Sequence, residues 1–366
     1  MCLRRRSKLK KLYIVFGFVL CFSVLSIFGV FHHAFEIDFY SGFHYPYDGD
    51  IEPLINQLRH NETPSVPPIN EYNFIYYKNC DRKCKDITDL RLIYIVKSAA
   101  SNFQQRLAIR SSWGFERRFS DVGIRTVFLI GNIKDVHLQK FITEESHKFN
   151  DIVQANFTDV YFNNTYKLMS GLYWAFKYCE KAKFYMFVDD DYYVSTKNVL
   201  RFIKFPTKYP EYLKEPFANI QAHLGQRKAL DLLDFELDND VRLYAGYGFH
   251  SVPFRHYFSK WYVPLSEYPY HKWPPYISGG AIILSNSALR DMYYASFYTK
   301  HFRFDDIYVA ILAYKVDIEP FHSDDFHFYK NPYYRVNYQY TIASHGYNDP
   351  QELLKVWNEQ KILGNA

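Results

Sequence analysis

The sequence has few cysteines, no internal repeat and no low-complexity tract. Of its five cysteines, Cys2 and Cys21 lie near the N-terminus, which leaves Cys80, Cys84 and Cys179 in the remainder of the chain. No further cysteine or histidine stands near these three at the spacing of a zinc finger, so a structural zinc site is not expected. Cys80 can pair locally with Cys84, or one of the two can pair with Cys179. The sequence alone does not choose between these disulfides.

Acidic residues are absent from the N-terminal segment. Residues 1–11 form a tail with six basic side chains, and residues 12–31 carry no charge at all. A helix of 20 residues rises about 30 Å, which is enough to span a bilayer, and the basic flank keeps the N-terminus cytosolic. A cleaved signal peptide is the alternative, but its apolar region is usually shorter, and the bulky residues 31–35 do not form a cleavage site. We therefore predict a type II signal anchor with the rest of the chain on the luminal side of the membrane.

Excess positive charge is lacking beyond the tail. The whole chain has a net charge of +5, so removing the six basic residues of the tail leaves −1. No basic stripe with interleaved aromatic residues occurs there, and nucleic acid is not an expected partner. Residues 32–88, with Pro64, Pro67 and Pro68, predict a luminal stem. Residues 89–366 are long enough for one large domain with a substantial core.

Apolar runs and amphipathic stretches alternate along this domain. Strands are predicted over residues 90–96, 125–130 and 184–188 and near residue 152. Helices are predicted from Asn102 through Trp113, over residues 136–149, over residues 165–179 and from near Ser195. This alternation at these lengths is typical of an α/β sheet wrapped by helices.

Three consecutive carboxylates, Asp189, Asp190 and Asp191, follow the buried strand at residues 184–188. Like charges this close repel each other, so the cluster favours a bound cation, and carboxylate oxygens suit Mg²⁺ or Mn²⁺. The carboxyl end of such a strand is also where α/β sheets bind ligands. The alternative is a solvated acidic turn that caps the next helix.

Other segments have one functional and one structural interpretation each. A helix places Arg106 and Arg110 on one stripe, where they either bind a nucleotide diphosphate or form ion pairs within the protein. Gly279 and Gly280 precede an apolar strand and either let the backbone approach a ligand or form a plain turn. Three further residues carry titratable groups. Asp305 and Asp306 stand at a predicted helix start, where one caps and the other can be a general base, and His345 is a lone candidate metal ligand.

Six segments in this order resemble glycosyltransferase family 31, which contains the Golgi β-1,3-galactosyl- and β-1,3-N-acetylglucosaminyltransferases. They are FQQRLAIRSSW, DVYFNNTYK, KFYMFVDDDYYV, WPPYISGGAIILS, FDDIYV and SHGYNDPQELLKVW, and the resemblance covers about residues 90–360. It implies a GT-A fold, a UDP-sugar donor and a Mn²⁺ (or Mg²⁺) ion. By motif position it implies that Asp191 and His345 are metal ligands, that Asp306 is the catalytic base, and that the donor is bound by these residues: Arg106, Arg110, Asp159, Lys167, Asp189, Asp190, Gly279 and Gly280.

The resemblance further implies an inverting transfer of a hexose or N-acetylhexosamine to the 3-hydroxyl of an acceptor glycan on a glycoprotein or glycolipid. The donor stays open among UDP-galactose, UDP-GalNAc and UDP-GlcNAc, since similar frameworks host all three. Asp305 stands where the family usually has glutamate. Two other functions are weighed: a catalytically silent, membrane-anchored partner or chaperone of another transferase, and a metal-dependent phosphohydrolase, for which the sequence around residues 189–191 lacks further ligands. A homo- or hetero-dimer formed through the stem is also compatible with the sequence.

Overall fold

The computed structural model describes residues 2–214, 237–238 and 240–366. Two compact units are present. One comprises Met1–Asp48 and His250–Pro275, and the other comprises Gly49–Phe249 and Tyr276–Ala366.

The first unit begins with helix α1 (Cys2–Ile27), followed by a 3₁₀ turn at His32–Phe35 and the short helix α2 (Phe39–Gly42). Its window Lys10–Ile27 is long and apolar enough to cross a membrane, and none of this window is buried in the protein. These properties fit the predicted anchor.

The second unit is built from alternating strands and helices. Its larger elements are α3 (Glu52–Arg59), β1 (Tyr76–Lys78), β2 (Leu90–Lys97), α4 (Phe103–Ser111), β3 (Gly123–Asn132), α5 (Val136–Phe149), β4 (Ile152–Thr158), α6 (Asn164–Tyr178), β5 (Phe184–Asp189), β6 (Tyr193–Val194), α7 (Thr196–Lys204), β7 (Tyr244–Phe249), β8 (Tyr276–Ser285), α8 (Asn286–Phe297), α9 (Asp305–Lys315), β9 (Phe321–His322), β10 (Phe326–His327), β11 (Ala343–Ser344) and α10 (Pro350–Ile362). Short 3₁₀ turns lie at Tyr161–Asn163, Pro206–Lys208 and Glu211–Leu213.

Eight strands among the described residues form one mixed sheet in the order β1-β4-β3-β2-β5-β8-β7-β9. Strands β4, β3, β2 and β5 run parallel, whereas β8 is antiparallel to both β5 and β7. The chain moves from β2 outward to β3 and β4, then returns to the other side of β2 as β5. The strand order therefore reverses between β2 and β5, and a ligand crevice is expected at the carboxyl ends of these two strands. The predicted α/β class is confirmed.

The central strands are buried on both faces, as parallel strands covered by helices should be. Residues 92–96 of β2 are completely buried. Gly171 of α6 makes this close packing possible, since a Cβ atom there would collide with the side chain of Leu129 in β3. The register pairs Lys97, the last residue of β2, with Asp189, the last residue of β5. Sheet pairing thus brings a lysine beside the acidic turn.

The compact unit begins before residue 89. Strand β1 pairs with β4, and α3 lies in the same unit, so part of the segment predicted as stem packs with the sheet. A disulfide joins Cys84, just before β2, to Cys179 at the end of α6, and Cys80 is a buried free thiol. Of the pairings that the sequence left open, the structure therefore contains the long-range one.

Candidate active site

Lys97 occupies the centre of the crevice at the ends of β2 and β5. Its ammonium Nζ lies 3.0 Å from Asp189 Oδ1 and 3.1 Å from Asp305 Oδ2, and it donates to the carbonyl of Gly279 at 2.8 Å. Burial alone would lower the pKa of Lys97, but the charges of Asp189 and Asp305 raise it above its ordinary value. The lysine is therefore a permanent cation. It ties together β2, β5, β8 and α9.

Asp189 forms the floor of this crevice. Its side chain is 39% exposed, and its Oδ1 contacts the Lys97 ammonium. Desolvation raises its pKa to about 6, the nearby charges of Asp191 and Asp305 act in the same direction, and Lys97 opposes them.

Asp190 is held by the loop that follows β2. Its Oδ2 accepts hydrogen bonds from Ser98 Oγ at 2.6 Å and from Asn102 Nδ2 at 3.0 Å, and its backbone N–H donates to the carbonyl of Lys97. Desolvation raises the pKa of this buried carboxyl, and the two donors act against that shift. Asn102 directly precedes α4 but makes no side-chain capping bond to it, since its Oδ1 accepts from Ser101 Oγ at 3.1 Å while its Nδ2 donates to Asp190.

Asp191 and His345 meet through the small sheet β10-β11-β6. The register pairs Ser344 with Tyr193, so the residues just beyond each strand come together. His345 Nε2 lies 3.0 Å from Asp191 Oδ2, and this hydrogen bond raises the pKa of the imidazole. The other carboxylate oxygen, Asp191 Oδ1, is buried and has no hydrogen-bond partner within the described parts of the chain.

These two side chains fit a divalent cation. A buried carboxylate oxygen without a partner and an adjacent imidazole nitrogen are ligands that Mn²⁺ accepts. Across residues 2–214, 237–238 and 240–366, no group of three or more His, Cys, Asp or Glu side chains is arranged to hold a metal by itself. The protein would thus provide Asp191 and His345, and the diphosphate of a bound nucleotide would provide further oxygen ligands.

Asp305 and Asp306 form the first turn of α9 and face the crevice beside Gly279. A Cβ atom on Gly279 would lie 3.4 Å from both Asp305 Oδ2 and Asp306 Cβ. The two carboxyl groups differ in environment. Asp305 pairs with Lys97, whereas Asp306 Oδ1 accepts the backbone N–H of Ile307 at 2.8 Å and has no ion pair in the described part of the chain. Desolvation and the charge of Asp305 raise the pKa of Asp306 to about 7. A carboxyl group with this pKa can exchange protons near neutral pH.

Gly280 is required by the packing of Tyr192. A Cβ atom at this position would overlap the Tyr192 hydroxyl and crowd its ring. The ring centroid of Tyr192 lies 5.2 Å from that of His345. Gly280 therefore lets Tyr192 lie between strand β8 and His345.

Comparison with known proteins identifies the family to which this crevice belongs. The family profile described as Galactosyltransferase matches residues 104–215 and 223–324, more than half of the chain. This chain belongs to the galactosyltransferase family. The Drosophila melanogaster protein named beta-1,3-galactosyltransferase brn is 39% identical over 339 residues, which is 92% of each chain. The Homo sapiens beta-1,3-galactosyltransferase 1 is 30% identical over 292 residues, which is 80% of each chain.

The solved galactosyltransferase LgtC covers 75% of this chain and 100% of its own, with 10% sequence identity and a TM-score of 0.35. Membership of the galactosyltransferase family agrees with the expected GT-A type of α/β fold and with the family 31 resemblance. The chain is accordingly a glycosyltransferase.

Two other residues that the family motifs single out, Lys167 and Asp159, form an ion pair beside the crevice of this protein. Lys167 Nζ contacts Asp159 Oδ1 at 2.6 Å and donates to the carbonyl of Ser98 at 3.0 Å. Asp159 also accepts the backbone N–H of Gly131. The pair therefore supports the loop that holds Asp190, and direct contact of Lys167 or Asp159 with a donor stays a prediction.

The arginines on α4 are paired within the protein. Arg106 is completely buried, and all its N–H groups are used by Glu145, Ser98, Ala99 and Ala100. Arg110 contacts Glu145 and Asp151. The geometry favours the ion-pair interpretation for Arg106, which has no donor left for a diphosphate. Arg110 Nη1 is buried without a hydrogen-bond partner in the described parts of the chain, so contact of Arg110 with a nucleotide stays a prediction.

Four side chains of the crevice were not predicted as site residues from the sequence: Lys97, Ser98, Asn102 and Tyr192. A signal for Lys97 exists, since it is a charged residue that directly follows the apolar run at residues 92–96. Its role depends on the sheet register, which pairs Lys97 with Asp189.

Proposed function

We propose that this protein transfers galactose from UDP-galactose to the 3-hydroxyl of an acceptor glycan and inverts the sugar to a β-1,3 linkage. The observation that carries the proposal is the position of Lys97, which joins the acidic turn to the start of α9 and so holds a metal-binding carboxylate motif and a candidate base at one crevice. Galactose is favoured over GalNAc and GlcNAc because the Drosophila and human relatives are named beta-1,3-galactosyltransferases.

Donor binding would involve the residues of the acidic turn. Asp191 and His345 would hold Mn²⁺, which when bound neutralises charge on the diphosphate leaving group. Asp190 is fixed by Ser98 and Asn102, so its position does not depend on the donor. Gly279 and Gly280 would allow the sugar to approach the backbone of β8.

Asp306 would be the general base. The acceptor 3-hydroxyl attacks the anomeric carbon, its proton passes to Asp306, and the bond from that carbon to the UDP oxygen breaks. One displacement inverts the configuration, so no carboxylate nucleophile is required. With the pKa of Asp306 raised to about 7, the ionised base accumulates as pH rises, and transfer should rise through neutral pH.

The anchor helix and its basic flank support a type II protein whose catalytic domain is luminal, and the Golgi apparatus is the compartment that the family 31 resemblance implies. Residues 1–11 would be cytosolic, α1 would span the membrane, and donor and acceptor would meet in the lumen.

The experiment uses the full-length protein with Mn²⁺ and measures UDP release from three UDP-sugars, with and without β-galactoside and β-hexosaminide acceptors. Asp306→Asn should retain donor binding and lose transfer by roughly 100-fold or more, as expected for a general base. Asp324→Asn is the matched control, because the Asp324 side chain is 91% exposed. Unchanged transfer by Asp306→Asn would exclude Asp306 as the base. Donor binding without transfer by the unmodified protein would instead favour the silent partner.

A further inference from the structure

An exposed aromatic loop lies against the end of the anchor helix. The chain reverses between Phe254 and Val263, where the backbone N–H of Val263 donates to the carbonyl of Phe254 at 2.9 Å. At the tip of this loop the side chains of Tyr257, Phe258 and Trp261 are 54%, 80% and 44% exposed. We call these three residues the aromatic tip.

The aromatic tip is fixed at the last turn of α1. The backbone N–H of Tyr257 donates to the carbonyl of Ile27, the final residue of that helix, at 3.3 Å. Gly29 follows in a left-handed conformation (φ 78°), and a Cβ atom on it would collide with Arg255. The loop can therefore sit this close to the helix end only because residue 29 is glycine.

Buried polar contacts make the attachment rigid. Arg255 is 2% exposed and binds Glu36 at 2.8 Å. Three of its other N–H groups donate to the carbonyls of Val263, Tyr268 and Tyr270. A buried arginine paired in this way holds the loop to the segment that follows the helix, because breaking the pair would leave a charge without compensation.

We infer that the aromatic tip inserts into the luminal headgroup region of the membrane that α1 spans. This inference rests on the anchor proposed above, since a spanning helix places Ile27 at the bilayer surface and thereby places Tyr257 there too. Tyr and Trp are enriched at that depth, where an apolar ring and a polar group are both solvated. The tip loop contains no acidic residue over positions 254–263, and the Lys260 ammonium lies 4.3 Å from the Trp261 ring centroid, a position suited to lipid phosphates.

Phe258 would enter deepest, because it is the most exposed of the three rings. The three rings stand on one loop, and exposed apolar side chains that are grouped in this way mark an interaction site more often than scattered ones do. The continuity of the loop with the membrane helix makes lipid the occupant that fits here, rather than a second protein.

The test is tryptophan quenching in the full-length protein reconstituted in phosphatidylcholine vesicles that carry bromine on the acyl chains. Trp113, Trp174, Trp273 and Trp357 are at most 6% exposed, so Trp261 is the tryptophan that lipid can reach. Brominated lipid should quench part of the emission, Trp261→Phe should abolish that part, and Phe258→Trp in the Trp261→Phe background should restore it. Transfer to a soluble acceptor should be unchanged in all three proteins, which shows that they are folded.

Resistance to carbonate extraction tests the membrane anchor separately from the insertion of the aromatic tip. Protein that resists extraction but shows no Trp261 quenching would overturn the inference and leave the anchor standing. Extractable protein would overturn the anchor and the inference together. Trp261 emission that changes with protein concentration and not with bromine content would assign the aromatic tip to a protein contact and would also overturn the inference.

Discussion

Lys97→Met is the substitution that tests the organisation of the crevice most directly. It removes the only cation that the described contacts give to Asp189 and Asp305 while keeping a side chain of similar length. The Lys97 side chain is 5% exposed, that of Asp305 is 16% exposed and that of Asp189 is 39% exposed. The variant therefore leaves two carboxylates without their cation, one of them nearly buried.

The expected cost follows from the distances. Two unit charges 3 Å apart attract by about 5 kcal/mol at an effective dielectric constant of about 20, before the desolvation of the lysine is subtracted. Breaking a buried ion pair costs about 3–5 kcal/mol, and water at Asp189 screens part of this. We expect a loss of about 3 kcal/mol in the free energy of unfolding, which lowers the melting temperature by roughly 5–10 °C.

The same substitution should change the pH dependence of transfer. Lys97 lowers the pKa of Asp306, so its removal should move the midpoint of the kcat profile upward from about pH 7. The assay is a thermal melt together with UDP release between pH 5.5 and 8.5. Lys140→Met is the control, because the Lys140 side chain is 79% exposed and its one ion pair among the described residues, with Glu144, is long at 4.0 Å. If Lys97→Met matched the unmodified protein in both melting temperature and pH profile, the lysine would not organise the site.

Three further substitutions test separate contacts. Gly280→Ala should reduce transfer at least 10-fold without unfolding the protein, because the new methyl group displaces Tyr192, and adding Tyr192→Ala should relieve the collision without restoring full activity. Cys84→Ser should lower the free energy of unfolding by about 2–5 kcal/mol in a denaturant titration, since the disulfide closes a loop between residues 95 apart, whereas Cys80→Ser should cost less. Arg106→Met should lower stability by about 3–5 kcal/mol with little change in KM for the donor; a raised KM at unchanged stability would support nucleotide binding.

The sequence predicted the central elements closely because their signals are local. Residues 136–149 were predicted as a helix with the bounds that the structure has, and Ser195 caps α7 through its side chain. The strand before the acidic turn was predicted one residue short, because Asp189 completes its register with Lys97. Apolar periodicity and capping residues carry this information without long-range contacts.

The long-range contacts were not predictable in the same way. Whether Cys84 pairs with Cys80 or Cys179 depends on where α6 ends relative to β2, and whether Asn102 caps a helix depends on the distance to Asp190. The residues next to Cys84 and Asn102 in the sequence are compatible with both outcomes. Only the packing of the sheet distinguishes the alternatives.

Arg106 of α4 shows why one motif is compatible with two kinds of neighbour. A guanidinium fits a carboxylate and a phosphate equally well, so an arginine next to a predicted nucleotide site invites the phosphate interpretation. Arg106 instead binds Glu145 of α5, a residue with no signal of its own in the sequence. It also donates to Ser98 and thereby to the loop that fixes Asp190. An influence of Arg106 on the donor would therefore pass through the position of that loop.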